Sequence, residues 1–151
     1  MKYEEIELAI AELFGVRQNI IVPNCYITLG TAADHECDLL IIKQSGYACE
    51  VEIKVSISDL KADFKKKHNH ENELLRELYY AFPTEMYEEA KQYVPEMAGI
   101  ILVSKHFNNK ISAFISKPAI AKKSRKLTDV EKLRFARLGA MRVWKLKKKL
   151  I

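Results

Sequence analysis

The stretch that decides the fold runs from Glu36 to Lys54 and reads ECDLLIIKQSGYACEVEIK. Two apolar runs flank Gln44-Ser45-Gly46, which is typical of a β-hairpin whose three-residue loop is closed by a glycine at positive φ. Such a loop pairs Lys43 with Tyr47 and thereby sets the register of both strands. The stretch therefore predicts two antiparallel strands with a defined set of opposed residues.

The predicted register brings three charged side chains together. Asp38 lies directly opposite Glu52, and strand alternation puts Lys54 on the same face. A two-residue loop would shift the register by one and set Asp38 opposite apolar Ile53, which burial of the carboxylate disfavours. The hairpin therefore predicts two acids and a lysine on one face.

Two carboxylates on adjacent strands repel each other, and one pKa rises unless a cation lies between them. Mg²⁺ suits such a pair, because it takes one or two carboxylates together with waters and phosphate oxygens. A bound ion lowers the pKa of its water, and Lys54 can stabilise charge that develops on a phosphate. The alternative for a bare E-x-K triplet is an exposed strand face with a Glu–Lys pair.

The order of these residues resembles the PD-(D/E)XK nuclease superfamily. Further segments follow in the order seen in its MmcB-like DNA repair proteins, namely VEIKVSISDLKAD (51–63), LYYAFP (78–83), AGIILV (98–103) and LRFARLGAMR (133–142). One departure is Cys37, which stands where the superfamily often has proline.

The resemblance implies a role for each residue of the hairpin. Asp38, Glu52 and Lys54 would be catalytic. The metal, Mg²⁺ or Mn²⁺, would be bound by Asp38, Glu52 and the carbonyl of Ile53. Glu5, in the first predicted helix, is a further candidate ligand, because nucleases of this kind often add a glutamate from that helix.

Hydrophobic periodicity predicts the other elements. Helices are expected at 3–14, 59–67, 85–93 and 128–149, and strands at 20–29, 74–82, 99–104 and 110–115. With the hairpin, this order predicts an α/β fold with a restriction-endonuclease-like core, in which a mixed sheet begins with three antiparallel strands and is flanked by helices, including a long C-terminal one. A length of 151 residues with 48% apolar residues fits a single domain.

The helix predicted at 59–67 follows the third strand and carries candidates for nucleic-acid binding. Ser56 and Ser58 offer an N-cap and nearby backbone N–H groups for a phosphate, and the exposed face carries Lys61, Lys65 and Lys66. A net charge of +5 and basic blocks at 117–126 and 134–149 also suit DNA. A lysine-rich surface that only favours solubility is the alternative.

The predicted C-terminal helix is apolar on more than one side. One face carries Val130, Leu133, Ala136, Ala140 and Trp144, with Arg137 near its middle, whereas Phe135 and Leu138 point elsewhere. A helix of this kind packs against two surfaces, one on each apolar side. A homodimer through this helix is therefore one candidate assembly.

Compartment and redox state follow from composition. Nothing resembles a signal peptide or a membrane span, so a cytoplasmic location and no membrane partner are expected. Three cysteines without C-x-x-C spacing predict buried free thiols rather than disulfides or a zinc site.

Three hypotheses follow for the function. The first is a Mg²⁺- or Mn²⁺-dependent deoxyribonuclease in DNA repair or processing. The second is a nucleic-acid-binding module that keeps the nuclease fold and does not cleave alone. The third is a small interaction subunit that dimerises through the C-terminal helix. The residues leave open the strandedness of the substrate and the choice between DNA and RNA.

Overall fold

The computed structural model describes residues 1–27, 35–65 and 72–151. Its helices are α1 (Tyr3–Phe14), α2 (Ile57–Lys65), α3 (Tyr87–Ala90) and α4 (Asp129–Lys148), with a 3₁₀ turn at Thr84–Met86. Its strands are β1 (Ile20–Ile27), β2 (His35–Ile42), β3 (Ala48–Ile53), β4 (Leu75–Pro83), β5 (Gly99–Lys105) and β6 (Ile111–Lys117). None of these helices has the length and apolar composition that a membrane crossing requires.

The described strands form one six-stranded sheet in chain order, β1 to β6. The first three strands are antiparallel, β3, β4 and β5 run parallel to one another, and β6 is antiparallel to β5. This arrangement confirms the predicted mixed sheet that begins with three antiparallel strands. It also brings the carboxyl ends of β3, β4 and β5 to the same end of the sheet.

The predicted hairpin register is confirmed. Leu39 pairs with Val51, and the remaining pairs of β2 and β3 follow the same register. Lys43 N donates to Tyr47 O at 2.9 Å, and Gly46 N donates to Lys43 O at 2.8 Å, which closes the three-residue loop. Gly46 has φ 91, a conformation that glycine adopts without a steric penalty.

Helices cover the sheet on both faces. Helix α1 packs Ile6, Ala9 and Ile10 against one face. The opposite face is covered by α2 and the residues around α3 over β4 and β5, and by α4 over β1 and β2. Neighbours such as Leu39 and Leu40 face opposite sides of the sheet and so belong to different clusters of buried residues.

The structure decides which side of α4 packs on the sheet. Phe135 is buried among residues of β1 and β2, and Leu138 packs beside it. Val130, Leu133 and Trp144, which share the other predicted apolar face, are exposed. The helix therefore meets the sheet through the narrower of its two apolar sides.

Two helix boundaries differ from prediction. Helix α2 begins two residues earlier, because the Ser56 hydroxyl accepts a hydrogen bond from Asp59 N at 3.2 Å and caps the first turn. The helix predicted at 85–93 is instead a 3₁₀ turn followed by the single turn of α3. Pro95 follows closely, and this short connection between two parallel strands leaves little room for a longer helix.

The three cysteines are buried free thiols, as their spacing predicts. Cys25 and Cys37 lie opposite each other on β1 and β2, and Cys49 lies in β3. Burial raises the pKa of Cys25 to about 11 and that of Cys49 to about 12, so both thiols stay protonated at neutral pH.

Gly99, at the start of β5, lies in closely packed surroundings. A Cβ at Gly99 would lie 2.7 Å from Ala119 N and would also clash with the Tyr79 ring. We expect Gly99→Ala to lower the free energy of unfolding by about 1–3 kcal/mol. In the control, Gly139→Ala within α4, the nearest atoms lie 3.8 Å away, so better helix propensity should raise it by about 0.5–1 kcal/mol. Urea unfolding compares the two variants, and equal stabilities would contradict the close approach at Gly99.

Candidate metal centre

The predicted site residues meet where β2 begins and β3 ends. Asp38 lies near the start of β2, Glu52 lies one residue before the end of β3, and Lys54 follows that strand directly. The pairing of β2 with β3 ends at Leu39 and Val51, and Asp38 and Glu52 are the next residues beyond that pair. The structure therefore brings the three residues to one end of the sheet, where Asp38 bonds to Ile53 N and Lys54 bonds to Glu52. Their roles in catalysis stay a prediction.

The side chain of Asp38 joins the start of β2 to the end of β3. Its Oδ2 accepts a hydrogen bond from Ile53 N at 2.7 Å, in the place where a regular ladder would supply a backbone carbonyl of β2. Burial raises the pKa of Asp38, and the Ile53 N–H and the charge of Lys54 oppose that rise. The Ile53 carbonyl as a metal ligand stays a prediction.

Glu52 is a buried carboxyl that lacks a full set of partners. Burial, reinforced by Glu50 and by the charge of Asp38, raises the pKa of Glu52 to about 9. Its Oε1 is buried and accepts no hydrogen bond from the described part of the chain. At neutral pH such a group holds a proton unless a cation takes its place.

Lys54 is a buried cation between the carboxyl groups of Glu52 and Asp63. Its Nζ lies 3.2 Å from Glu52 Oε2 and 3.1 Å from Asp63 Oδ1. Burial alone would lower the pKa of Lys54, but the charges of Glu52 and Asp63 outweigh burial and raise it. The ammonium is therefore charged and held at the site.

Asp63 and Tyr80 complete this network and were not predicted. Asp63, on α2, is buried, and its Oδ2 accepts a hydrogen bond from the Tyr80 hydroxyl at 3.1 Å. A signal was present in the sequence, because Asp63 follows Leu60 by three residues and so lies on the inner side of α2. A buried acid there requires a cation, which Lys54 supplies.

The first helix contributes Tyr3 and Glu7 to the same end of the sheet. Burial and the negative charge of Asp38 raise the pKa of both side chains. Glu7 Oε1 is buried without a donor from the described residues. Tyr3 and Glu7 are four residues apart, so they lie on one side of α1.

Glu5, the glutamate of the first helix that was predicted as a ligand, has different partners. It accepts a hydrogen bond from Lys2 N at 2.8 Å and forms an ion pair of 2.9 Å with Lys105, and these contacts lower its pKa. Its role as a metal ligand stays a prediction, which the ion pair with Lys105 disfavours. Glu7, by contrast, lies close enough to Asp38 for that charge to raise the pKa of Glu7.

The oxygen donors at this end fit a hard divalent cation. Asp38 and Glu52 have raised pKa values, and Glu52 has an oxygen without a donor from the described residues. Across residues 1–27, 35–65 and 72–151, no three or more His, Cys, Asp or Glu side chains are grouped as a metal site. Mg²⁺ does not require such a group, because it is commonly held by one or two carboxylates with waters.

Two of the predicted nucleic-acid-binding residues, Ser56 and Ser58, lie at the start of α2. The Ser56 and Ser58 hydroxyls lie 3.0 Å apart, and Ser56 caps the helix. Lys61 leans towards the region of α3, where its Nζ lies 3.6 Å from Glu89 Oε1 and 4.9 Å from the centre of the Tyr93 ring. Lys65 is the last residue of α2, and Lys66 lies outside the described residues.

The basic end of α4 lies at the same end of the sheet as the carboxylates. The residue before the helix, Leu127, donates its N–H to Gly46 O at the hairpin loop, at the opposite end. Further along, Arg142 Nη2 donates to Asn24 O at 2.5 Å, and Asn24 lies opposite Asp38 in the β1–β2 register. The last turn, which carries Lys145, Lys147 and Lys148, therefore extends beyond the level of Asp38.

Comparison with known proteins adds a family and a fold. A family model described as DNA repair protein MmcB-like matches residues 5–150. A solved structure of a protein of unknown function from Silicibacter pomeroyi aligns with a TM-score of 0.65 and 16% identity, covering 99% of this chain and 91% of that one. At that identity the likeness shows the fold alone. No curated protein matches the chain.

Proposed function

The chain belongs to the family of MmcB-like DNA repair proteins, and we propose that it acts there as a Mg²⁺- or Mn²⁺-dependent nuclease that hydrolyses phosphodiester bonds in DNA. The observation that carries this proposal is the buried Lys54, which lies 3.2 Å from Glu52 at the strand end that also holds Asp38. Two carboxyls with raised pKa values beside a fixed cation suit metal-assisted hydrolysis.

Each residue has a defined part in the proposed chemistry. Asp38, Glu52 and the Ile53 carbonyl would hold the ion, with Glu7 close to Asp38. The ion, when bound, supplies a water of lowered pKa and polarises the phosphate. Lys54 offers a positive charge to the phosphate oxygens, while Asp63 fixes its position from the other side.

The surroundings suit a polyanionic substrate. The start of α2, with Ser56 and Ser58, follows Lys54 within a few residues and presents backbone N–H groups. The last turn of α4 adds Lys145, Lys147 and Lys148 at the same end. Phosphate contacts from these two elements would position a strand across the carboxylates without reading its sequence.

The test of this function is Lys54→Ala assayed on plasmid and on single-stranded circles with Mn²⁺. We expect cleavage to fall by about 100-fold or more, the usual effect of losing a group that stabilises developing charge. Mn²⁺ binding measured by calorimetry should persist, because Asp38 and Glu52 remain. Lys91→Ala is the matched control, since it removes an exposed lysine that pairs with Glu88 and belongs to neither the carboxylate site nor the predicted DNA-binding residues, and it should change cleavage only slightly. Wild-type cleavage by Lys54→Ala would contradict the assignment.

A second candidate function is DNA binding without cleavage by the chain alone. The observation that favours it is the basic last turn of α4, because Lys145, Lys147 and Lys148 can contact phosphates whether or not a metal is bound. DNA affinity with no nicking at any Mn²⁺ concentration would support this alternative. A homodimer through α4 stays a prediction.

A further inference from the structure

The outward side of α4 exposes large apolar side chains. Val130 is 79% exposed, Leu133 60% and Trp144 64%. Phe135 is the buried residue of this helix, on the opposite side. Exposed apolar side chains that form one contiguous stripe usually mark an interaction surface.

The spacing of the stripe suits another helix. Its residues follow one another at alternating intervals of three and four, a pattern that keeps one side of a helix facing a partner helix. These residues are Val130, Leu133, Arg137, Ala140 and Trp144, and they are called the α4 seam below. Met141 and Val143, at the edges of the seam, are also exposed and widen the apolar surface.

The net positive charge of α4 favours an acidic partner. Residues 129–149 include eight basic and two acidic side chains. Asp129 and Glu131 are already paired, with Lys132 and Arg125 respectively. Within the described residues no acidic side chain forms an ion pair with Arg134 or Arg137. Arg134 flanks the seam, and Arg137 lies within it. A partner helix with carboxylates beside its apolar residues would neutralise them.

Two other occupants fit the surface less well. A second copy of α4 would bring two strongly basic helices side by side, and like charges across such an interface are repulsive. A DNA backbone would satisfy the basic residues but would leave Val130, Leu133 and Trp144 without an apolar partner.

We propose that the α4 seam is the docking site for an acidic amphipathic helix of a partner protein. The partner's apolar residues pack along Val130, Leu133 and Trp144, and its carboxylates meet Arg134 and Arg137. The seam and the carboxylate cluster involve different residues, so this interaction is separate from the proposed nuclease chemistry.

Trp144 provides a direct readout, because it is the single tryptophan of the chain. The probe is a synthetic helical peptide of about three heptads with Leu at the a and d positions and Glu at e and g. Titration of the full chain should shift Trp144 emission to shorter wavelength as the indole leaves water. Raising the salt from about 0.05 to 0.5 M should weaken binding, because the flanking charges are exposed.

Two leucines of nearly equal exposure provide a matched pair of substitutions. Leu133 is 60% exposed on the seam, and Leu146 is 61% exposed on another side of the same helix. Because both side chains face water, neither Leu133→Asp nor Leu146→Asp should unfold the protein. We expect Leu133→Asp to weaken the peptide by about tenfold or more, as for loss of a central anchor, while Leu146→Asp binds it as the wild type does.

Several results would overturn the proposal. An unchanged Trp144 emission, or equal binding of a peptide with Lys in place of Glu, would exclude an acidic helix. A concentration-dependent dimer in sedimentation that Leu133→Asp abolishes would assign the seam to a second copy. A shift produced by duplex DNA or by anionic vesicles and lost in Leu133→Asp would assign the seam to that ligand.

Discussion

A Glu52→Gln variant should be more stable than the wild type at pH 8 without divalent metal, and it should no longer bind Mn²⁺. Burial and Glu50 raise the pKa of Glu52 from its usual 4.5 to about 9. The folded chain therefore keeps this proton up to about pH 9, whereas the unfolded chain releases it near pH 4.5. The stabilisation that results is fully present below about pH 4.5. The free energy of unfolding then falls as the pH rises from about 4.5 to about 9.

Glutamine has no proton to release, so this part of the pH dependence should disappear. We expect the variant to exceed the wild type by about 1–3 kcal/mol at pH 8, the range typical of a buried ionisable group. Mn²⁺ should reverse the trend in the wild type alone, because the ion takes the place of the proton and binds more strongly as Glu52 deprotonates.

The measurement is urea unfolding of both proteins between about pH 5 and pH 9, with and without Mn²⁺. Glu88→Gln is the control, since it removes an exposed carboxylate that pairs with Lys91 far from the site. Its stability should follow the wild-type pH profile. A Glu52→Gln variant with the wild-type slope, or with intact Mn²⁺ binding, would show that Glu52 neither holds the proton nor binds the metal.

Asp63→Ala should cause the largest loss of stability at the site. The substitution removes the carboxylate that lies 3.1 Å from Lys54 Nζ and leaves the Tyr80 hydroxyl without its acceptor. Breaking a buried ion pair by removing one partner typically costs about 3–5 kcal/mol. Tyr80→Phe removes only the neutral hydrogen bond and should cost about 1 kcal/mol.

A double substitution separates the ion pair from general packing. In Asp63→Ala combined with Lys54→Met, no buried ammonium remains, so the loss should be clearly smaller than the sum of the two single losses. Asp59→Ala on the exposed side of α2 is the matched control and should cost less than about 1 kcal/mol. Thermal and urea unfolding provide the comparison, and strict additivity would mean that Asp63 and Lys54 do not depend on each other.

The hairpin shows what local sequence determines by itself. The loop Gln44–Gly46 and the alternation of β2 and β3 set the register, because a slip by one residue would exchange the buried and exposed faces. Asp38, Glu52 and Lys54 could therefore be placed together before any tertiary contact was known. The order of strands and helices followed from the same periodicities, since each element carries its own pattern.

The position of Asp63, on the far side of Lys54 from Glu52, depended on tertiary structure. Asp63 reaches Lys54 because α2 folds back against β4, and Tyr80 on that strand meets the same acid. Helical spacing alone could not choose between Glu5 and Glu7, since both lie beside the apolar side of α1. Lys105, a hundred residues away in the sequence, pairs with Glu5 and leaves Glu7 facing Asp38.

The packing of α4 is the second feature that the tertiary structure decided. Its sequence has apolar residues on two sides, and a local pattern cannot tell which of them the sheet will cover. Phe135 fits among residues of β1 and β2, and Arg142 reaches Asn24 O beside them. Local sequence determines what each element can bury, whereas contacts between distant elements determine which side is buried and which stays free for a partner.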